Sequence, residues 1–291
     1  MATCQYKRVS DTCIEGYVQA KNVCGHGRYK LYFSLNTDQP FQLEEQKETT
    51  ACLTFGKKVR AVEVRIGLSA LSSELASWEC ARWEKMDFAE LKSQTGNQWE
   101  KQLSAIDVKG GKKDDKVIFY TSLYRAYLSP ADVSSPDGAY LGTDGKVYIS
   151  EDFRYYSNWS LWDTFRTKFP LLVLTEPARM RDMATSLIHL YATGKKDWST
   201  GFESTPTVRT EHAVILLLDA YRKGITTLDF RKGYAGMKEE MERLPMRSPD
   251  QKMESAYDLW AMAQIAEIIG EKADSEQYRH CLLYTSPSPR D

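Results

Sequence analysis

The residues best suited to bind or transform a ligand cluster in one aromatic segment, Tyr155-Tyr-Ser-Asn-Trp-Ser-Leu-Trp-Asp-Thr-Phe-Arg166. If this segment is helical, Trp159, Asp163 and Arg166 follow at intervals of four and three residues and share one face. A ring can then pack on the C–H face of a sugar, while the carboxylate accepts and the guanidinium donates hydrogen bonds to hydroxyls. The alternative is a surface ion pair beside buried tryptophans, and periodicity alone favours that alternative.

Two more groups of polar residues are candidates. Glu211 and His212 are expected in the first turn of an apolar helix, where Glu211 suits the helix dipole and His212 fits a buried core histidine better than a ligand-binding one. Glu254 and Asp258 share one helix face, where a carboxylate pair can do acid–base work but is more often solvated or caps a neighbour. Glu203 is a loop carboxylate that could line a cleft.

Composition excludes several classes of protein. The 291 residues carry 39 Lys and Arg against 40 Asp and Glu, so no global basic field is present to hold nucleic acid. No apolar run is long enough for a transmembrane segment, and the first residues lack the apolar core of a signal peptide. The six cysteines and four histidines form no C-x-x-C or H-E-x-x-H motif, which predicts reduced cysteines and no transition-metal site.

The elements that would position these residues change character along the chain. Alternating residues predict strands near 29–35, 51–55 and 59–66, in an antiparallel sheet that looks like the end of a β-sandwich. Two helices are predicted across 72–105. A hairpin is expected around Tyr140, and helical spacing continues in the segments 113–128, 158–169, 177–192, 211–223, 231–243 and 249–269.

The last of these helices has the clearest start signal. Ser248 is the expected N-cap, Pro249 the first helical residue and Gln251 the partner that closes a capping box, with Gly270 ending the helix. A succession of helices without a sequence repeat fits a barrel of helical hairpins better than a solenoid. The final segment, 283–291, breaks the pattern with two Ser-Pro pairs and is predicted to be a non-native tail.

Together these segments resemble glycoside hydrolase family 92, the exo-acting α-mannosidases. The matching stretches are Gly27-Arg-Tyr-Lys-Leu-Tyr-Phe33, Phe119-Tyr-Thr-Ser-Leu-Tyr-Arg125, Asp137-Gly-Ala-Tyr-Leu-Gly-Thr-Asp-Gly-Lys146, Tyr156–Arg166, Thr210-Glu-His-Ala213 and Glu254-Ser-Ala-Tyr-Asp-Leu-Trp260. The S-x-W-D-T-x-R segment is the specific one, and the resemblance covers nearly everything from about 25 to 282.

The resemblance implies an N-terminal β-sandwich, a helical linker and an (α/α)6 barrel, with the site between sandwich and barrel. It implies calcium-assisted, inverting hydrolysis of terminal α-mannose, often α-1,2-linked, from mannan or N-glycans. By motif, Asp163 and Arg166 would hold the mannose, and Trp159, Glu211 and His212 would help form its pocket. Accordingly, the fold is expected to divide into the end of the sandwich, the linker, the first part of the barrel and the tail, at 1–70, 71–108, 109–282 and 283–291.

The departures from the family pattern are equally specific. The general acid, the base and most calcium ligands are expected beyond residue 282, so we expect no catalytic residue or metal ligand in this chain and no turnover by it. The chain is therefore interpreted as a fragment whose parent is exported to the periplasm, the cell surface or the medium. Two alternatives stay open: a mannosyl-phosphodiester glycosidase of the same family, which the loop around Trp198 resembles, and a non-catalytic carbohydrate-binding protein.

Overall fold

The computed structural model describes residues 2–47 and 50–285, in which a sheet region precedes a helical region. The strands are β1 (Thr3–Arg8), β2 (Cys13–Lys21), β3 (Arg28–Thr37), β4 (Phe41–Lys47), β5 (Thr50–Phe55), β6 (Val64–Ser69), β7 (Ala131–Asp132), β8 (Ala139–Leu141), β9 (Val147–Ile149) and β10 (Tyr156–Ser157). The helices are α1 (Ser73–Ala81), α2 (Phe88–Leu103), α3 (Lys113–Tyr127), α4 (Lys168–Thr175), α5 (Pro177–Thr193), α6 (Ala213–Arg222), α7 (Phe230–Met241), α8 (Pro249–Ile269) and α9 (Lys272–Thr285).

The N-terminal strands form an antiparallel sheet in the order β1-β2-β3-β6, with β4 and β5 as a separate hairpin. The antiparallel sheet predicted from the alternating residues is thereby confirmed. The strand predicted over 59–66 is wrong at its start, because pairing with β3 begins only at Val64. Helix α1 lies directly on β6: a Cβ at Gly67 would be 2.0 Å from the carbonyl oxygen of Ala76, so only glycine permits this approach.

The main apolar core lies in the helical region, where α4 to α8 pack together. Helix α6 is at its centre, since every residue from Ala213 to Leu218 is buried. Leu187 from α5 and Met262 from α8 are fully buried in the same cluster. This dense packing fixes both ends of α6, and with them the polar residues that precede it.

Most predicted helices are observed within a few residues of their expected limits, including the two across 72–105 and those at 113–128, 177–192, 231–243 and 249–269. The capping box of Ser248 and Gln251 is present, and Gly270 ends α8 in the left-handed conformation with φ of 86°. The predicted hairpin around Tyr140 is also observed, as β8 paired with β9.

The helix predicted over 158–169 is wrong. Residues 158–163 are not helical, and only a single 3-10 turn, Thr164–Arg166, precedes α4. Asn158 has a positive φ of 69°, which interrupts a helix. The backbone that follows forms hydrogen bonds with a distant loop instead of the bonds of a helix. Val208 N–H donates to the Trp159 carbonyl at 2.8 Å, and Leu161 N–H donates to the Arg209 carbonyl at 2.8 Å.

The predicted placement of Glu211 and His212 in the first turn of a helix is also wrong. Helix α6 begins at Ala213, and His212 precedes it in the left-handed region with φ of 64°. The rest of the predicted helix is observed as far as Arg222, and Lys223 is the residue that ends α6.

The predicted non-native tail lies almost wholly outside the described residues; 283–285 continue α9. Between residues 2 and 285, leaving out 48 and 49, no helix has both the length and the apolar character needed to cross a bilayer.

Candidate functional site

Two loop segments singled out in the sequence lie side by side before α4 and α6. The hydrogen bonds between 159–161 and 208–209 join them backbone to backbone. The segment from Asp163 to Arg166 therefore leaves this junction next to the segment from Arg209 to His212. The two polar clusters thus belong to one region of the surface.

His212 is held by Asp258, which projects from the middle of α8. Its Nδ1 lies 3.0 Å from Oδ2 and 3.2 Å from Oδ1, and both side chains are buried. Burial lowers the pKa of His212, but the hydrogen bond and charge of Asp258 outweigh it and raise the pKa overall, with Glu254 and Glu211 adding to the effect. The pair therefore keeps a proton above the pH at which a free histidine loses it.

A continuous series of contacts links this pair to the predicted sugar-binding residues. The Phe165 ring lies 4.6 Å from the imidazole of His212, centroid to centroid, and the guanidinium carbon of Arg166 lies 5.0 Å from the Phe165 ring. Asp163 and Arg166 are themselves exposed. Both side chains are consequently accessible from solvent, although neither lines the cavity that His212 itself borders.

A second series of contacts runs through Arg209. Its guanidinium carbon lies 4.3 Å from the centroid of the exposed Trp162 ring, a distance suited to a cation–π interaction, and its Nε donates to Glu211 Oε1 at 2.7 Å. The other oxygen of Glu211, Oε2, is buried and has no hydrogen-bond partner in the described part of the chain. Glu211 is thus positioned by Arg209 while one of its oxygens stays unpaired.

Glu211, His212 and Asp258 line a cavity of about 420 Å³ between α5, α6, α7 and the start of α8. Carboxylates outnumber cations in its lining: the cations are Lys195, Lys196, Arg209 and Arg243, and the carboxylates are Asp197, Glu211, Glu239, Glu240, Asp250, Glu254 and Asp258. The cavity is therefore acidic, which suits a neutral polyhydroxylated ligand or a cation better than an anion.

One wall of the cavity is a buried ionic network. Lys195 donates to Glu240 and, at 3.0 Å, to Asp197 Oδ1, while the Tyr191 hydroxyl also donates to Glu240. Burial alone would lower the pKa of Lys195, but the charges of Glu240 and Asp197 raise it overall, so the amine stays protonated. The charges of this network are paired with one another, so the rest of the cavity remains open to a ligand.

Trp159 takes a different position from the one expected for a pocket wall. Its side chain is 2% exposed and packs near the Phe169 ring at 6.0 Å. It can support the pocket only indirectly, through the hydrogen bond that Val208 N–H donates to the Trp159 carbonyl. The exposed aromatic side chain in this segment is Trp162, which the sequence analysis did not single out.

Glu203 is buried at the junction between the sheet and the helical region. Its Oε2 accepts a hydrogen bond from Ser157 Oγ at 3.2 Å, and its carbonyl accepts one from Lys30 N–H of β3 at 2.8 Å. Burial raises the pKa of Glu203 to about 7, against the lowering effect of Ser157. It does not line the cavity of His212.

The described residues do not fit a calcium site. Across 2–47 and 50–285, no three His, Cys, Asp or Glu side chains are arranged to hold a metal ion. Calcium takes about six to eight oxygen ligands, and no such group of carboxylates occurs among the described residues.

Sequence reasoning missed Lys195 and Glu240 as a buried pair, and it left the partner of Asp258 open. Both pairs join residues about 45 positions apart. The only local signal is the position of Lys195 directly after the end of an apolar helix, where a buried charge needs an ion-pair partner.

The chain matches a known protein family. The model of the glycosyl hydrolase family 92 catalytic domain matches residues 76–252, more than half of the chain. The chain belongs to glycosyl hydrolase family 92. No curated protein sequence matches it.

Solved structures of the family share the fold. The family 92 glycosyl hydrolase ccman5 is similar with a TM-score of 0.83 and 25% identity, covering 98% of this chain and 42% of that one. The α-mannosidase BT3965 from Bacteroides thetaiotaomicron, solved with mannoimidazole, has a TM-score of 0.80 at 25% identity, covering 94% and 42%. The inverting mannosidase BT2199 from the same organism has a TM-score of 0.77 at 20% identity, covering 97% and 44%. The chain thus spans less than half the length of each.

Proposed function

We propose that this chain supplies the sugar-binding part of an exo-acting α-mannosidase that removes terminal α-mannose, α-1,2-linked mannose among others, from mannan or N-glycans. The observation that carries the proposal is the contact series from exposed Arg166 through Phe165 to the buried His212–Asp258 pair. Family membership supports it, as does the mannoimidazole bound to the similar α-mannosidase from Bacteroides thetaiotaomicron.

Each residue has a definite task in this proposal. Asp163 accepts and Arg166 donates hydrogen bonds to hydroxyls of the mannose ring. Because Asp258 engages Nδ1 of His212, the other ring nitrogen, Nε2, is the atom left for a sugar hydroxyl. Glu211, held by Arg209, adds an acceptor at the rim.

The chemical step belongs to residues outside this chain. In the proposed parent, one carboxylic acid protonates the leaving oxygen and a second carboxylate activates water, with inversion. Calcium is proposed for the parent on other ligands. We also propose that the sheet ends a β-sandwich, that the helices from α3 onward form part of an (α/α)6 barrel, and that the parent is periplasmic, surface-attached or secreted.

The acidic lining of the cavity favours an α-mannosidase over the alternative of a mannosyl-phosphodiester glycosidase. A mannosyl phosphodiester carries a negative charge, and seven carboxylates against four cations oppose its binding. A neutral α-mannoside meets no such repulsion. A non-catalytic carbohydrate-binding protein would use the same pocket, and it differs only in lacking the acid and the base.

The proposal is tested by binding and turnover on the same preparation. We expect the 291-residue chain to bind mannoimidazole and to release no mannose from α-1,2-mannobiose. The gluco-configured imidazole, which differs from mannoimidazole at one hydroxyl, serves as control and should bind more weakly. Absence of mannoimidazole binding would contradict the sugar-binding role, and EDTA-sensitive mannose release would contradict the assignment of catalysis to residues outside the chain.

A further inference from the structure

A second cavity, of about 760 Å³, lies between the linker helix α2 and the junction of α4 and α5. It shares no lining residue with the cavity of His212. Its volume falls within the range of about 300–1,000 Å³ that is usual for small-molecule sites. It is therefore large enough to be a binding site in its own right.

Two buried polar atoms in its lining residues lack partners within the described part of the chain. These are the hydroxyl oxygen of Tyr127 and the amide nitrogen Nε2 of Gln102, and the Tyr127 side chain is only 6% exposed. Neighbouring groups show the normal situation: the Tyr120 hydroxyl, two helical turns before Tyr127 on α3, donates to the Ile106 carbonyl at 3.0 Å. A buried polar group without a partner is costly, so a ligand that supplies one is favoured.

The remaining lining suits a sugar ring. Trp99 is half-buried and supplies an aromatic surface, and its indole lies 4.5 Å from the Tyr124 ring, which holds it in place. Gln98 and Gln102 supply amides that both donate and accept hydrogen bonds. Rings beside planar polar groups match the alternating C–H faces and hydroxyl edges of a pyranose.

The charges in the lining balance. Lys101 and Arg179 are the cations and Asp132 and Glu176 the carboxylates, and Asp132 is already engaged by Arg154 Nε at 2.8 Å. Counting Arg154, at most one positive charge remains uncompensated, so a strongly charged ligand gains little here. The balance selects a neutral ligand.

We propose that this cavity is an accessory sugar site that binds a neutral hexose unit, separate from the cavity of His212 and from the exposed Asp163 and Arg166. The choice of mannose as the hexose rests on the proposed function, but the site itself does not. Gln102, which is half-buried, turns its amide toward the sugar, and the Tyr127 hydroxyl gains the partner it lacks. A second sugar contact of this kind would help hold a branched or polymeric glycan.

The test is a titration of the ¹⁵N-labelled chain with methyl α-D-mannopyranoside, followed at the Trp99 indole and Gln102 amide signals. A Trp99→Phe variant identifies the indole signal. We expect both signals to shift with one Kd, and Tyr127→Phe to raise that Kd about threefold to tenfold, the effect of one hydrogen bond. The melting temperature of Tyr127→Phe should not fall, since the lost hydroxyl has no hydrogen-bond partner among the described residues.

Tyr221→Phe is the matched control, because Tyr221 lies against Phe230 and lines neither cavity. It should leave the Kd unchanged, and so should Asp163→Ala. The proposal is overturned if the Trp99 and Gln102 signals stay fixed, if Tyr127→Phe binds like wild type, or if Asp163→Ala abolishes both shifts. Loss of mannoimidazole binding with these shifts retained would instead contradict the proposed function alone.

Discussion

His212 and Asp258 lie 46 residues apart in the sequence, yet His212 Nδ1 is 3.0 Å from Asp258 Oδ2 in a buried pair. This pair ties the start of α6 to the middle of α8 at the wall of the acidic cavity. It connects the packing of the helical core to the orientation of a residue proposed to contact the sugar. Its charge state therefore affects stability and binding together.

His212→Asn should destabilise the chain in a pH-dependent way. The pKa of His212 is raised in the folded state, so the stability from the charged pair is complete below the unfolded value of about 6.5 and is lost as pH rises through the folded value. We expect a loss of about 3 kcal/mol near pH 6 and a smaller loss at pH 9, measured by urea unfolding.

The exposed His26 provides the control. His26→Asn removes a ring contact with Trp198 and should lower the free energy of unfolding by less than His212→Asn does near pH 6. A constant gap between wild type and His212→Asn from pH 6 to pH 9 would contradict a charged pair.

Replacing Glu203 should have the opposite effect to replacing His212, because the variant should be more stable than wild type. Burial raises its pKa to about 7, so the free energy of unfolding falls as pH rises from the unfolded pKa of about 4.3 to that value. The shift from about 4.3 corresponds to about 3–4 kcal/mol at high pH. Glu203→Gln should melt near the wild-type temperature at pH 4 and above it at pH 8.5. Glu151→Gln, the same change at an exposed position, should raise the melting temperature less at pH 8.5. Equal melting of Glu203→Gln and wild type at pH 8.5 would contradict the burial of this carboxyl.

The two tryptophans of the aromatic segment should behave differently. Trp159 is 2% exposed and Trp162 is 44% exposed. Trp159→Ala should cost about 3–5 kcal/mol of unfolding free energy, whereas Trp162→Ala should cost less than about 1 kcal/mol, mainly the contact with Arg209. Urea unfolding of both variants checks the order, and a larger loss for Trp162→Ala would contradict the structure.

The junction between sheet and helical region depends on Gly27. A Cβ there would lie 2.1 Å from the Ser199 carbonyl oxygen, on the loop that bonds Arg28 N–H. Gly27→Ala should therefore cost about 1–3 kcal/mol. Gly96→Ala is the matched substitution, since no atom lies within 4 Å of its Cβ position in α2, and it should stabilise by about 0.5–1 kcal/mol. Equal effects of the two variants would argue against the close approach.

Elements that are determined by residues close together in the sequence could be predicted from the sequence. The capping box of Ser248 and Gln251 is written in four consecutive residues, so α8 could be placed from the sequence. The helical spacing of Trp159, Asp163 and Arg166 misled because tertiary hydrogen bonds to Val208 and Arg209 override it.

The candidate site could be predicted only in part for the same reason. Resemblance to the family brought Asp163, Arg166, Glu211 and His212 together, and the structure places their segments side by side. The partner of His212 is set by how α6 packs on α8, which no local pattern encodes. Strands β1, β2 and β4 also went unpredicted, because their pairing energy comes from neighbouring strands.

The most direct test of the central claim is calorimetric titration of mannoimidazole into wild type, Asp163→Asn and Arg166→Gln, with melting temperatures for each. Because both side chains are exposed, we predict melting temperatures close to wild type and affinity lower by at least about tenfold, as for hydrogen bonds to charged groups. Asp219→Asn, which alters an ion pair between half-buried Asp219 and Lys223 at the end of α6, should leave the affinity unchanged. Wild-type affinity in both site variants would contradict the account.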